Sequence, residues 1–123
     1  MRRHPMQMPQ RPAELETLLS LDCARIDGRK PLAPEQATAQ ARVLPAWTCA
    51  DGVLRRRFEW RDFQETLAFV NAVAWVAHRQ DHHPEVSFGY RHCELAFTTH
   101  SADGLTLKDF ICAARIDALG AHA

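Results

Sequence analysis

The sequence predicts an α+β domain, a four-stranded antiparallel sheet with helices packed on one face, in the order α-β-β-α-β-β-α. Three observations carry that prediction. The first is a hairpin signal, Asp51-Gly52, between the apolar residues around Trp47 and the alternating run VLRRRFEW. The second is a second pair of alternating runs, VSFGY and CELAFTT, closely joined through Arg91-His92. The third is the long helical pattern DFQETLAFVNAVAWVAHRQ between these pairs, with shorter helical patterns outside them. Hairpins alternating with helices give an antiparallel sheet covered on one side.

The elements follow in order. Residues 13–22, AELETLLSLD, place Leu15, Leu18 and Leu19 at helical spacing, and the DGRKP run at 27–31 reads as a turn. Residues 1–31 are set apart as a partly flexible N-terminal extension, with the main domain over 32–123. The first twelve residues, with Pro5, Pro9 and Pro12, are expected to be mobile. A helix is predicted from Ala33, with Pro34 at a first position that needs no N–H, up to Pro45. In VLRRRFEW, Leu54, Phe58 and Trp60 share one face. Arg56 falls on that face too, where an edge position or its aliphatic stem would accommodate it. Asp62 and Glu65 fit a helix cap. In the long helix Phe63, Leu67, Val70, Ala74 and Ala77 form the leading stripe, widened by Phe69, Val73 and Val76, an arc broad enough to suggest a partner subunit. Tyr90 and Trp60 are expected in the core. Thr106 caps a last helix with Leu107, Phe110, Ile111, Ala114 and Ala118 inward, and Gly120 stops it.

Composition narrows the functional classes. The chain of 123 residues is one domain, and 46% apolar with 24% charged residues is globular rather than disordered. A formal net charge of zero gives no electrostatic reason to expect nucleic acid or an anionic membrane as partner. Arg55-Arg56-Arg57 reads as a solvated strand face. Cys23, Cys49, Cys93 and Cys112 form no CxxC pair, and Cys93 and Cys112 sit in apolar segments, so a reducing compartment is expected. The basic start is followed by no secretory apolar region, and no apolar run is long enough for a membrane span. A cytoplasmic location follows as an expectation.

Five of the seven histidines lie between His78 and His100. Imidazole exchanges a proton near neutrality at small cost, so a cluster of this density invites acid–base chemistry. His82 and His83 fall where the helical pattern stops at Pro84, and His100 ends an apolar run. Asp109 lies three residues after Thr106, so T-x-x-D is also a plain helix cap. His78 and His82 have the i, i+4 spacing of zinc sites, but Arg79 stands where HExxH carries its glutamate, and no metal is expected.

The pattern resembles the signature of the pterin-4a-carbinolamine dehydratase family. His78 stands at its opening position, His82-His83-Pro84 follow after three residues, Tyr90 is the aromatic, His100 the later histidine and Asp109 the aspartate. The resemblance spans roughly residues 32–119. Two positions depart from it: His78 stands where relatives often carry Glu, and Val86 follows HHPE where an aromatic is usual. The resemblance implies loss of water from a 4a-hydroxytetrahydropterin, in the recycling of tetrahydrobiopterin for an aromatic amino acid hydroxylase, without cofactor. It gives His82 and His100 the acid and base roles, His83 substrate binding with a share in proton transfer, and Asp109 the orientation of an imidazole. His78, Asp81, Glu85 and Thr99 are expected as substrate-binding residues; by themselves His78 reads as a surface residue and Asp81, Glu85 and Thr99 as solvated ones, which beside the histidines would line the pocket mouth. A homodimer or homotetramer is implied. The alternative is a non-catalytic dimerisation module of the same fold.

Overall fold

The computed structural model describes residues 11–120. The expected mobility of the first twelve residues falls outside this range except at Arg11 and Pro12, as do His4 and His122. Among the described residues there are four helices and four strands: α1 (Leu15–Ser20), α2 (Pro34–Ala41), β1 (Thr48–Ala50), β2 (Val53–Glu59), α3 (Phe63–Gln80), β3 (Glu85–Phe88), β4 (His92–Phe97) and α4 (Leu107–Gly120). Short 3₁₀ turns cover Cys23–Arg25 and His100–Ala102. The sheet runs β1-β2-β4-β3, with every neighbouring pair antiparallel. The fold class is the one expected.

Local chemistry explains the boundaries. Asp51 and Gly52 both take positive φ (54° and 74°), which closes the β1–β2 hairpin in a turn matched to strand twist. The Asp62 carboxylate accepts the Glu65 N–H at 2.8 Å and starts α3. Asp81, in the left-handed region at φ 50°, ends it. That reversal releases the chain toward His82, His83 and β3.

The core lies between the inner sheet face and the helices. Leu54, Phe58, Cys93, Leu95 and Phe97 meet Phe69, Val73 and Val76 of α3 and Phe110, Ile111, Ala114 and Ile116 of α4. Arg56 also faces inward. Its strand is central, so an edge position is not the explanation. Its Nη1 donates to Asp117 Oδ1 at 2.6 Å, and its guanidinium lies 4.2 Å from the Phe58 ring centre. Trp47 Nε1 donates to the same oxygen at 2.8 Å.

Three expectations are corrected. The stripe of α3 that meets the core is Thr66, Phe69, Val73, Val76 and Gln80, while Ala74 is exposed and Phe63 remains 39% exposed. With apolar residues over so wide an arc, periodicity cannot select the arc's centre. Tyr90 is exposed, its ring stacked 5.7 Å from Phe63, because it lies beyond the end of the edge strand β3. Trp60 is half-buried on Phe58 and Phe69.

The third concerns residues 11–31, which pack against the domain rather than hang from it. Leu18 and Cys23 are buried in the same core as the sheet. Long-range polar side chains secure the segment. Gln40 accepts from the Ala13 N–H at 2.8 Å and donates to its carbonyl at 2.7 Å, as a neighbouring strand would. Gln80 Oε1 accepts the Cys23 N–H at 2.8 Å, and Arg115 donates to the Leu21 carbonyl at 2.6 Å. A six-residue helix has little stability alone, so α1 exists through this packing.

Candidate active site

Where α3 ends, α4 begins and β4 leaves the sheet, three segments meet. The buried centre is Asp109, which has no solvent exposure. Its Oδ1 lies 2.6 Å from His82 Nε2. Its Oδ2 accepts the Thr99 hydroxyl at 2.7 Å and the Thr106 N–H at 2.9 Å. The Thr99 and Thr106 hydroxyls are 2.9 Å apart. A carboxylate taken out of water is costly unless its oxygens find donors, and here both do. The helix-cap and imidazole-orienting readings of Asp109 therefore coexist. One oxygen caps α4, and the other holds an imidazole.

His82 is fixed on further sides. Its backbone N–H donates to the Ala77 carbonyl at 3.2 Å. Its ring lies nearly parallel to Phe97, 6.0 Å between centres and 14° between planes. The Cys112 thiol donates to its carbonyl at 3.6 Å. The ring remains 12% exposed, and with Nε2 engaged by Asp109, Nδ1 is the nitrogen left for a ligand. If the Nε2–H is the donor to the carboxylate, Nδ1 carries a lone pair.

The other expected site residues divide between surfaces. His83 is exposed and lines a hollow of about 380 Å³ together with His78, Asp81, Pro84, Val86 and the α3 residues Val70, Ala74 and Ala77. His82, His100, Thr99 and Asp109 do not line that hollow. His100 is exposed at the start of the 3₁₀ turn, one residue after Thr99 and so beside the Asp109 network along the chain. Two placements at the pocket mouth are corrected. Thr99 is 3% exposed, because its hydroxyl turns inward to the carboxylate. Glu85 is directed to the outer sheet face, where it shares a different depression with Arg55, Arg57 and Glu94, because it pairs with Ala96 and alternation sends both outward.

Thr106, Phe97 and Cys112 were not read as contributors to the site. T-x-x-D signalled a bond between Thr106 and Asp109, but not the link onward to Thr99. Phe97 was legible only as an inward strand residue. Among the described residues, no group of three or more His, Cys, Asp or Glu is arranged to hold a metal ion, and no helix is long and apolar enough to cross a membrane.

Comparison with known proteins gives a consistent likeness. Residues 30–119 match the family described as Pterin 4 alpha carbinolamine dehydratase. A Nitrosospira multiformis protein with the provisional name pterin-4-alpha-carbinolamine dehydratase is 42% identical over 106 residues, covering 85% of this chain and 94% of the relative. A Chromobacterium violaceum protein with the same provisional name is 44% identical over 102 residues, covering 83% and 94%. Among solved structures, a transcriptional coactivator/pterin dehydratase from Brucella melitensis superposes with a TM-score of 0.70 at 28% identity, covering 73% of this chain and 98% of that one. A pterin dehydratase-like protein described as a RuBisCO assembly factor in the alpha-carboxysome gives 0.51 at 26% identity, covering 59% and 84%.

Proposed function

The chain belongs to the pterin 4 alpha carbinolamine dehydratase family, and on that premise we propose that it is a working dehydratase, a hydro-lyase that removes water from a 4a-hydroxytetrahydropterin to give the quinonoid dihydropterin. The observation that supports catalysis above all is the His82–Asp109 pair, with its carboxylate fully bonded and the far nitrogen of the ring free. The reaction needs a base for the N5 proton and an acid for the departing 4a hydroxyl. We assign the base to His82. Its Nδ1 takes the N5 proton while the Nε2–H stays on Asp109, so the charge that forms on the ring faces a carboxylate. His100 is the acid that releases the hydroxyl as water. His83, in the hollow with His78 and Asp81, binds the pterin ring and relays protons. The base and the acid would each contribute about 10²–10⁴-fold.

This reading places the protein in the cytoplasm, in tetrahydrobiopterin recycling beside an aromatic amino acid hydroxylase, as a homodimer or homotetramer. The exposed Val86 and Phe88 of the edge strand β3, next to Phe63 and Tyr90, offer an apolar surface for self-association. The deciding experiment is a dehydratase assay on a synthetic 4a-carbinolamine. Wild type should turn over, while His82→Ala and His100→Ala each lose orders of magnitude with the circular dichroism spectrum retained. Full activity in both variants would refute the assignment. An inactive wild type that is folded and self-associates would favour the interaction module instead.

A further inference from the structure

Two cysteines that the proposed chemistry does not use lie against each other. Cys23, from the 3₁₀ turn after α1, and Cys112, on α4, bring their sulfurs to 3.7 Å across 89 positions of sequence. Cys23 precedes the family-matched region, which starts at residue 30. We propose that Cys23 and Cys112 form a reversible disulfide under hydrogen peroxide, fastening the N-terminal segment to α4 beside His82.

The surroundings give the two sulfurs different roles. When Cys23 loses its proton, the single S–H of Cys112, otherwise directed at the His82 carbonyl, turns to the Cys23 sulfur; that bond, aided by the charges of Lys108 and Arg115, draws Cys23 below the usual thiol range, against the opposing effects of burial and Asp109. Cys112 is driven far the other way, first by that same bond to Cys23 and then by burial. Cys23 is thus the nucleophile and Cys112 the resolving thiol. The Cys23 thiolate attacks one peroxide oxygen. A sulfur–oxygen bond forms, the oxygen–oxygen bond breaks, and the departing hydroxide is protonated to water. Cys23 is now a sulfenic acid and the peroxide is reduced. The Cys112 sulfur then attacks the Cys23 sulfur. The sulfur–sulfur bond forms, the sulfur–oxygen bond breaks, and the leaving hydroxide takes the Cys112 proton as a second water. A dithiol reductant reverses the step by exchange.

Geometry requires little. A disulfide holds its sulfurs at about 2.0 Å, so the pair must close the remaining gap by side-chain rotation. Both sulfurs are buried, so peroxide enters when the short α1 segment lifts from α4, a local opening rather than global unfolding. Once the bond forms, that opening is suppressed. The bond also removes the thiol donor that Cys112 presents to the His82 carbonyl, so the oxidation state is registered at the backbone of a proposed site residue.

The test uses the full chain with Cys49→Ser, which removes the half-buried thiol. Mild hydrogen peroxide should lower the intact mass by two hydrogens. Tryptic digestion without reductant should yield the peptide spanning 109–115 joined to the peptide ending at Arg25. Tm should rise by about 5 °C or more, since the bond closes a very long loop, and a dithiol should reverse both changes. Addition of oxygen with both peptides unlinked, or a link through Cys93, would overturn the proposal. Because the readout is covalent mass, it stands or falls separately from dehydratase turnover.

Discussion

The two halves of the candidate site are built on opposite principles. Around Asp109 both carboxylate oxygens have partners and are sealed from solvent, and the His82 ring, 12% exposed, is held by a hydrogen bond, a stacked phenylalanine and its own backbone. Around His83 the side chains are exposed, and an apolar strip of α3 forms the wall. The first half fixes geometry. The second offers space. An active site for a flat bicyclic substrate needs both, since positioning a proton acceptor to within a fraction of an ångström demands rigidity that a binding wall does not.

The contrast is broken most severely at the Asp109 bond. Asp109→Asn is nearly isosteric, but its amide oxygen must serve the Thr99 hydroxyl and the Thr106 N–H, which turns the NH₂ group toward His82. Nε2 then accepts, and the ring proton moves to Nδ1, the nitrogen that should take the N5 proton. Turnover is expected to fall by about 10²–10⁴-fold, as for a base held in the wrong tautomer, while thermal unfolding changes little. Steady-state kinetics beside a melting curve checks this. Unchanged kcat would show that the orientation of His82 is irrelevant to the reaction.

The next largest effect tests whether the N-terminal segment belongs to the rigid half. Leu18→Ala removes a fully buried side chain and should cost about 2–5 kcal/mol in urea unfolding, whereas Leu15→Ala, at an exposed position of the same helix, should stay within about 0.5 kcal/mol. Equal effects would return residues 13–26 to the status of an appendage. Thr99→Val follows in size. It deletes one donor to the Asp109 carboxylate without changing volume and should destabilise by about 1–3 kcal/mol, with kcat falling more than KM rises.

What was legible in the sequence tracks the range of the forces involved. Strand alternation, the Asp51-Gly52 turn and the Asp62 cap are local, and each was readable within a few residues. The position of His82 at a helix end and the T-x-x-D cap were readable for the same reason. The partners that matter most are distant in sequence: Thr99 with Asp109, Gln80 with Cys23, Arg115 with Leu21 and Asp117 with Arg56. No periodicity encodes such pairs. Leu18 looked like one leucine in a short helix because Gln40, Gln80 and Arg115, which dock its segment, lie 22 or more positions away in sequence. Thr99 looked solvated because it follows a strand, and only the fold turns its hydroxyl toward a carboxylate.

The smallest effects are expected on the open side, and they sharpen the contrast by their kind. His83→Ala removes an exposed ring that lines the hollow, so KM should rise about tenfold, roughly 1.4 kcal/mol, with a smaller loss in kcat and no change in Tm. His78→Ala, in the last turn of α3 on the same wall, should shift KM only a few-fold. A large fall in kcat for His83→Ala at unchanged KM would move the main proton transfer, beyond the share given to His83, into the hollow. His82 would then be a structural histidine holding the helix junction, and the division between a rigid half and an open half would no longer map onto chemistry and binding.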